Sequence, residues 1–146
     1  MQDYLMIIEQ INKRFEQFKL MVLQETENID GMEKFNLTPQ QEMIMAYIIQ
    51  NEPVIANDIA KYLDISKSAV SQVITKIENN KMISRQANPA NRRESLIFLG
   101  ENGEEYHQLL IKMDQLLVEK YYSKVSVEEL ENVYSILTKI VKKSNY

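Results

Sequence analysis

From Asp3 to about Asn28 the apolar positions Ile8, Ile11, Phe15, Phe18 and Val22 advance in steps of three and four. That spacing predicts an amphipathic helix, and Leu5, Met21 and Leu23 widen its apolar stripe beyond what one small core buries from one side. Residues 25–34 are polar, contain Gly31 and predict a loop. Thr38-Pro39-Gln40-Gln41 is a strong helix start: Thr38 caps, proline suits the first helical position and Gln41 completes a capping box. The helix carries Met43, Ile44, Tyr47 and Ile48 to about Gln50, where Asn51-Glu52-Pro53 breaks it. Two short helices follow. Asn57 to Leu63 turns Ile59, Ala60 and Leu63 inward, Asp64-Ile65 forms a turn, and Ser66 caps a helix to about Asn79 with Val70, Val73, Ile74 and Ile77 on its buried face.

After Lys81 the period changes from helical to extended. Met82–Ala87 and Ser95–Leu99 predict two strands joined by the turn-forming segment Asn88-Pro89-Ala90-Asn91-Arg92-Arg93. Gly100 to Gly103 opens another helix with Tyr106, Leu109, Leu110, Met113, Leu116, Leu117 and Tyr121 in register. Ser126 caps a last one with Val127, Leu130, Val133, Tyr134, Leu137, Ile140 and Val141 inside. The predicted fold is mainly α with a small β-hairpin: a winged helix-turn-helix at 37–99 between long helices, all in one domain of 146 residues. A short capped helix of this kind fits the DNA major groove, and a hairpin loop reaches the adjacent backbone or minor groove.

Composition narrows the field. Three glycines and three prolines are too few for a turn-rich all-β fold, and the absence of cysteine removes disulfides, thiol chemistry and cysteine-ligated metals. The N-terminal residues show no basic start followed by an apolar core, and no uncharged run nears the roughly 20 residues of a membrane span, so a cytoplasmic protein is expected. Net charge is −4, yet Ser66–Arg93 holds six cations against the single acid Glu78. That segment is +5, which leaves −9 on the rest of the chain. A basic segment on an acidic body marks a polyanion-binding face. With Val70, Val73, Ile74 and Ile77 buried, helical spacing presents Ser68, Ser71, Gln72, Thr75 and Lys76 to solvent, a polar face free of acids.

Residues 37–103 resemble the MarR family of bacterial transcriptional regulators. The matching stretches are LTPQQ at 37–41, DIAKYLDISKSAVSQVITKIENN at 58–80, MISR at 82–85, NPANRRE at 88–94 and LGENG at 99–103. The resemblance implies a homodimer, held together by helices at 3–28 and 101–143, that reads an inverted repeat in double-stranded DNA as a repressor. It implies base-edge contact for Ser68, Ser71 and Gln72, and phosphate anchoring for Ser66, Lys67, Thr75 and Lys76. Arg93, aided by Arg92, would enter the minor groove, while Asn88 lies in the wing and Arg85 touches phosphate or braces the hairpin. Three positions depart from the family pattern. Asn91 stands where an aspartate is usual, Lys81 where a glycine ends the reading helix, and Gly100 where a threonine caps the next, a replacement expected to cost only a few tenths of a kcal/mol. If position 81 needs a positive φ, lysine costs about 1 kcal/mol there.

Family members often bind aromatic effectors that release DNA, and Tyr4, Phe15, Phe18, Tyr47 and Tyr106 are the candidate contacts for such a molecule. Aromatic residues at helical spacing also serve as ordinary core. His107 is the only histidine and cannot make a transition-metal site alone, so no metal and no cofactor are expected. Neither a glycine-rich phosphate loop nor a nucleophile–base spacing is present, which argues against an enzyme. The remaining alternative is a winged-helix protein-interaction module that does not read DNA.

Overall fold

The computed structural model describes residues 1–142. Among them run helices α1 (Gln2–Glu27), α2 (Pro39–Asn51), α3 (Ala56–Leu63) and α4 (Lys67–Asn79), strands β1 (Ile83–Ala87) and β2 (Ser95–Leu99), then α5 (Glu101–Lys120) and α6 (Val127–Val141). The fold is mainly α with one antiparallel hairpin, as the periodicity predicts. Position 143, the expected end of the last helical segment, lies outside the described residues. Contacts divide the chain into two compact units, Met1–Ile111 and Lys112 onward, so the boundary falls inside α5.

The core of the first unit is built from residues that the helical spacing points inward. Ile44, Met45 and Ile48 of α2, Ile59 of α3, and Val70, Ile74 and Ile77 of α4 are fully buried, with Ile97 of β2 closing the layer. Each such side chain removed from water stabilises the fold by about 1.5–3 kcal/mol. Thr38 caps α2 as expected: its hydroxyl oxygen accepts from Gln41 N–H at 3.2 Å, and the Gln41 side chain accepts from Thr38 N–H at 2.9 Å. The expected loop at 25–34 is more ordered than its polarity suggests. The helix α1 continues to Glu27, a 3-10 turn spans Met32–Lys34, and Met32 joins the core beside Ile29 and Phe35. Two apolar residues, Ile29 and Met32, in an otherwise polar segment set no period, so the pattern reads as loop.

The hairpin pairs Ile83 with Leu99, Arg85 with Ile97 and Ala87 with Ser95. Its base is buried and its tip exposed. On its other edge β2 exchanges two backbone bonds with Val54: Val54 N–H donates to Ile97 O (3.1 Å) and Ile97 N–H to Val54 O (2.7 Å). Glu52 adds a carboxylate that accepts from Leu99 N–H at 2.6 Å. The segment after the α2 break therefore serves as a third, single-residue strand.

The turn from α4 to β1 is fastened to the first turn of α5. Gly100 N–H donates to Met82 O at 2.9 Å, Asn102 N–H to Lys81 O at 3.0 Å, and the Asn102 amide to Asn80 O at 2.7 Å. A Cβ on Gly100 would overlap the Lys81 carbonyl oxygen, and one on Gly103 the Met82 carbonyl oxygen. This revises the expectation for position 100: glycine there is not an inexpensive stand-in for a capping threonine but the residue that lets two backbones meet. The expected positive φ at position 81 is present, at 58° on a lysine.

Within the second unit α6 begins with a capping box, in which the Ser126 hydroxyl accepts from Glu129 N–H and the Glu129 carboxylate accepts from Ser126 N–H. Its apolar positions Val127, Leu130, Val133, Tyr134, Leu137, Ile140 and Val141, expected inside, are all exposed in the single chain, because no element of that chain covers this face. Among the described residues no helix is long and apolar enough to cross a membrane.

Two substitutions and one titration test this packing. Lys81→Gly should raise stability in urea unfolding by about 0.5–1 kcal/mol, because left-handed backbone costs lysine more than glycine loses in the unfolded chain. Gly100→Ala should lower it by about 2 kcal/mol or more, since backbone and not a flexible side-chain end must yield. Burial, and then the negative charge of Glu42, hold the Tyr106 phenol above its ordinary value of 10.0. The unfolded chain thus ionises first, and the contribution of this group, complete below pH 10, should fade as pH rises through the folded value. Tyr106→Phe should flatten that alkaline loss in a pH series of thermal melts.

Candidate nucleic-acid interface

The helix α4 is anchored by its apolar face and free on the other. Ser66 opens it: its hydroxyl oxygen accepts from Ala69 N–H at 3.1 Å, which leaves the hydroxyl proton available to an anion. No acid occupies the first turn, so the positive end of the helix dipole is uncompensated there, and Lys67 adds a full charge. Ser68, Ser71, Gln72, Thr75 and Lys76 form one exposed, continuous surface. Thr75 is partly committed, because its hydroxyl donates to Ser71 O at 2.9 Å. In that rotamer it offers a partner lone pairs and no proton.

The wing loop is shaped by its own carboxamides. Asn88 Oδ1 accepts from Ala90 N–H at 3.0 Å and Asn91 Oδ1 accepts from Arg93 N–H at 3.1 Å, with Glu94 N–H returning to Asn91 O. Neutral Asn91 thus orders the loop through the backbone of Arg93. Arg92 and Arg93 project from it, exposed and without an ion pair among the described residues.

Between α4 and the wing lies a cleft of about 460 Å³, lined by Lys67, Ser71, Arg85, Asn91, Arg93 and the acid Glu94, with residues of α3 and β2 completing its wall. Here the structure brings four of the expected site residues together: Lys67, Ser71, Arg85 and Arg93. Arg85 is engaged, its Nε donating to Glu78 Oε2 at 3.0 Å. Sequence reasoning missed Asn57, Asn91 and Ser95 in the cleft wall and did not foresee the Glu78 partner. The Asn57 position belongs to a helix other than α4, and nothing in the spacing of the basic segment points to it.

The five aromatic candidates are not gathered. Tyr106 lies in the core with its ring 5.4 Å from that of Phe35, and Tyr47 stacks 4.7 Å from Tyr62. Tyr4, Phe15 and Phe18 are exposed along α1. Among the described residues no group of three His, Asp or Glu side chains is placed to hold a metal.

A model of the MarR family matches residues 35–94, from the end of the 3-10 turn to the wing. Over these residues the winged helix matches the MarR family. The chain is 24% identical over 114 residues to the transcriptional repressor MdtR of Bacillus subtilis, covering 78% of this chain and 74% of that one. It is 22% identical over 130 residues to the transcriptional regulator HosA of Escherichia coli, covering 89% and 96%. In fold it is similar to FabT of Streptococcus pneumoniae, solved in complex with DNA, with a TM-score of 0.71, 21% identity and coverage of 90% and 93%. The family and these relatives are transcriptional regulators, not enzymes.

The cap at the start of α4 has a direct test. Ser66→Ala should cost about 1 kcal/mol of stability in thermal or urea unfolding by freeing Ala69 N–H. Ser66→Asp should restore most of it.

Proposed function

We propose that this protein is a homodimeric, cytoplasmic repressor that reads an inverted repeat in double-stranded DNA. The observation that carries the reading is the juxtaposition of an acid-free polar helix face with a cleft holding Lys67 and Arg93. In this reading α4 enters the major groove. Ser68, Ser71 and Gln72 meet base edges there, glutamine being suited to the paired donor and acceptor of adenine. Ser66, Lys67 and Lys76 bind phosphate, which fixes register without reading sequence. Thr75, its proton already given to Ser71, accepts from a base amino group or a water in place of anchoring phosphate. Arg93 enters the minor groove from the wing tip, with Arg92 beside it and Asn88 setting the start of the loop.

Dimerisation accounts for apolar surface that the single chain leaves in water. Ile8, Ile11 and Phe15 of α1 are each about 45% exposed, and Tyr134 and Ile140 of α6 more than 70%. A symmetric pair of lobes would address half-sites whose centres lie about one helical turn, or roughly 10 base pairs, apart. An aromatic effector that releases DNA belongs to the same proposal. Tyr4, Phe15 and Phe18 are open to it on α1 and Tyr47 is half-buried, whereas Tyr106 is reached only if the core opens.

Three measurements test the reading. The wild-type protein should lose affinity for a duplex selected from a random pool steeply as salt rises. Arg93→Ala should weaken binding to all sequences and flatten that salt dependence, while Gln72→Ala should cost about 1–3 kcal/mol of discrimination at one base position. Sedimentation equilibrium should give a dimer for the wild type and a shift toward monomer for Ile11→Lys with Ile140→Lys. A monomer that ignores duplexes in dilute buffer, yet captures a protein, would instead make the lobe an interaction module.

A further inference from the structure

Of the three cations that line the cleft beside α4, Arg85 alone already holds an anion among the described residues. The pair with Glu78 spans two elements: Glu78 lies in the last turn of α4, and Arg85 is the middle residue of β1, opposite Ile97. It is the one side-chain bond between α4 and the hairpin among the described residues. The rest of the connection is backbone, through the tight turn at Asn80 and Lys81. Glu78 is also the only acid of α4, and by charge alone it should repel a DNA backbone running past the cleft. Its placement is explained if its effect is geometric. The planar guanidinium gives the pair a directional bond, which can set the angle at which the wing leaves the helix.

We propose that Glu78 and Arg85 are positioning residues that hold the wing at the angle needed for α4 and Arg93 to engage one duplex together. In this arrangement Arg85 makes no phosphate contact, and the phosphate in the cleft is met by Lys67 and Arg93. The inference rests on the DNA-reading function proposed above and assigns the cleft cations different tasks.

The sign of one substitution separates this role from simple electrostatics. Glu78→Gln removes a negative charge near the DNA face, so a purely electrostatic account gives tighter binding. The positioning role gives weaker binding, by about five- to tenfold for a duplex selected from a random pool, with the salt dependence unchanged. Arg85→Gln should show the same loss with the same unchanged slope, whereas loss of a true phosphate contact in each subunit would lower the slope by about 2. The exchanged pair Glu78→Arg with Arg85→Glu should recover affinity to within about threefold of wild type, and circular dichroism melts of all variants check folding. Equal or tighter binding by Glu78→Gln overturns the proposal, as does a reduced slope for Arg85→Gln. Failure of the exchanged pair to recover, when it melts like wild type, overturns it as well. If the wild type binds no duplex, the functional reading falls and this inference with it; if the wild type binds and Glu78→Gln is unaltered, only the inference falls.

Discussion

The winged lobe depends on how closely two stretches of backbone approach each other at the start of α5. Three donors, the Gly100 and Asn102 N–H groups and the Asn102 amide, reach the carbonyls of Met82, Lys81 and Asn80. Those carbonyls would otherwise be left over where α4 ends. The approach is possible because positions 100 and 103 have no Cβ, and because Lys81 accepts a left-handed backbone to turn its carbonyl toward α5. Residues on both sides of the hairpin thus close one joint. The wing leaves and re-enters the fold at the same place, so its base is fixed by backbone while its tip stands free.

On that frame, charge and apolar surface are separated cleanly. The polar face of α4 and the wing carry Lys67, Lys76, Arg92 and Arg93, and the only acid on α4 is tied to Arg85. Acidic residues are distributed over the remaining chain, which holds −9 against +5 in the basic segment. In the proposed function the cations of α4 and the wing draw a polyanion to the winged lobe before any contact forms. The exposed apolar residues of α1 and of α6 lie on elements that contribute nothing to that basic surface. In the proposed function recognition and association thereby draw on different residues and can change independently.

Most of the helices were legible because their apolar residues keep a 3.6-residue period and their starts are marked by Thr38, Ser66 and Ser126. The hairpin was legible from the change of period after Lys81 and from the turn residues between its strands. What escaped was short or long-range. Met32 sits in one turn of helix with no period of its own, and the Val54 bridge is a single residue whose partner is 43 positions away in sequence. The basic face could be read from residue order, since one helix and one loop carry it. The Glu78–Arg85 bond could not, because helix and strand periods assign faces but not the distance across the turn that joins them. The crowding at Gly100 was equally hidden: a sequence shows that a side chain is missing, not what fills its place.

The wing loop is held by two carboxamides, Asn88 and Asn91, each accepting from a backbone N–H two residues on. An aspartate at either place would make a stronger acceptor at neutral pH but would lose it on protonation. Carboxamides neither gain nor lose a proton across the range in which proteins remain folded. The two side-chain acceptors that shape this loop are therefore the same in mildly acidic and mildly alkaline solution. A wing held in this way keeps both of its carboxamide turns while the proton concentration around it varies.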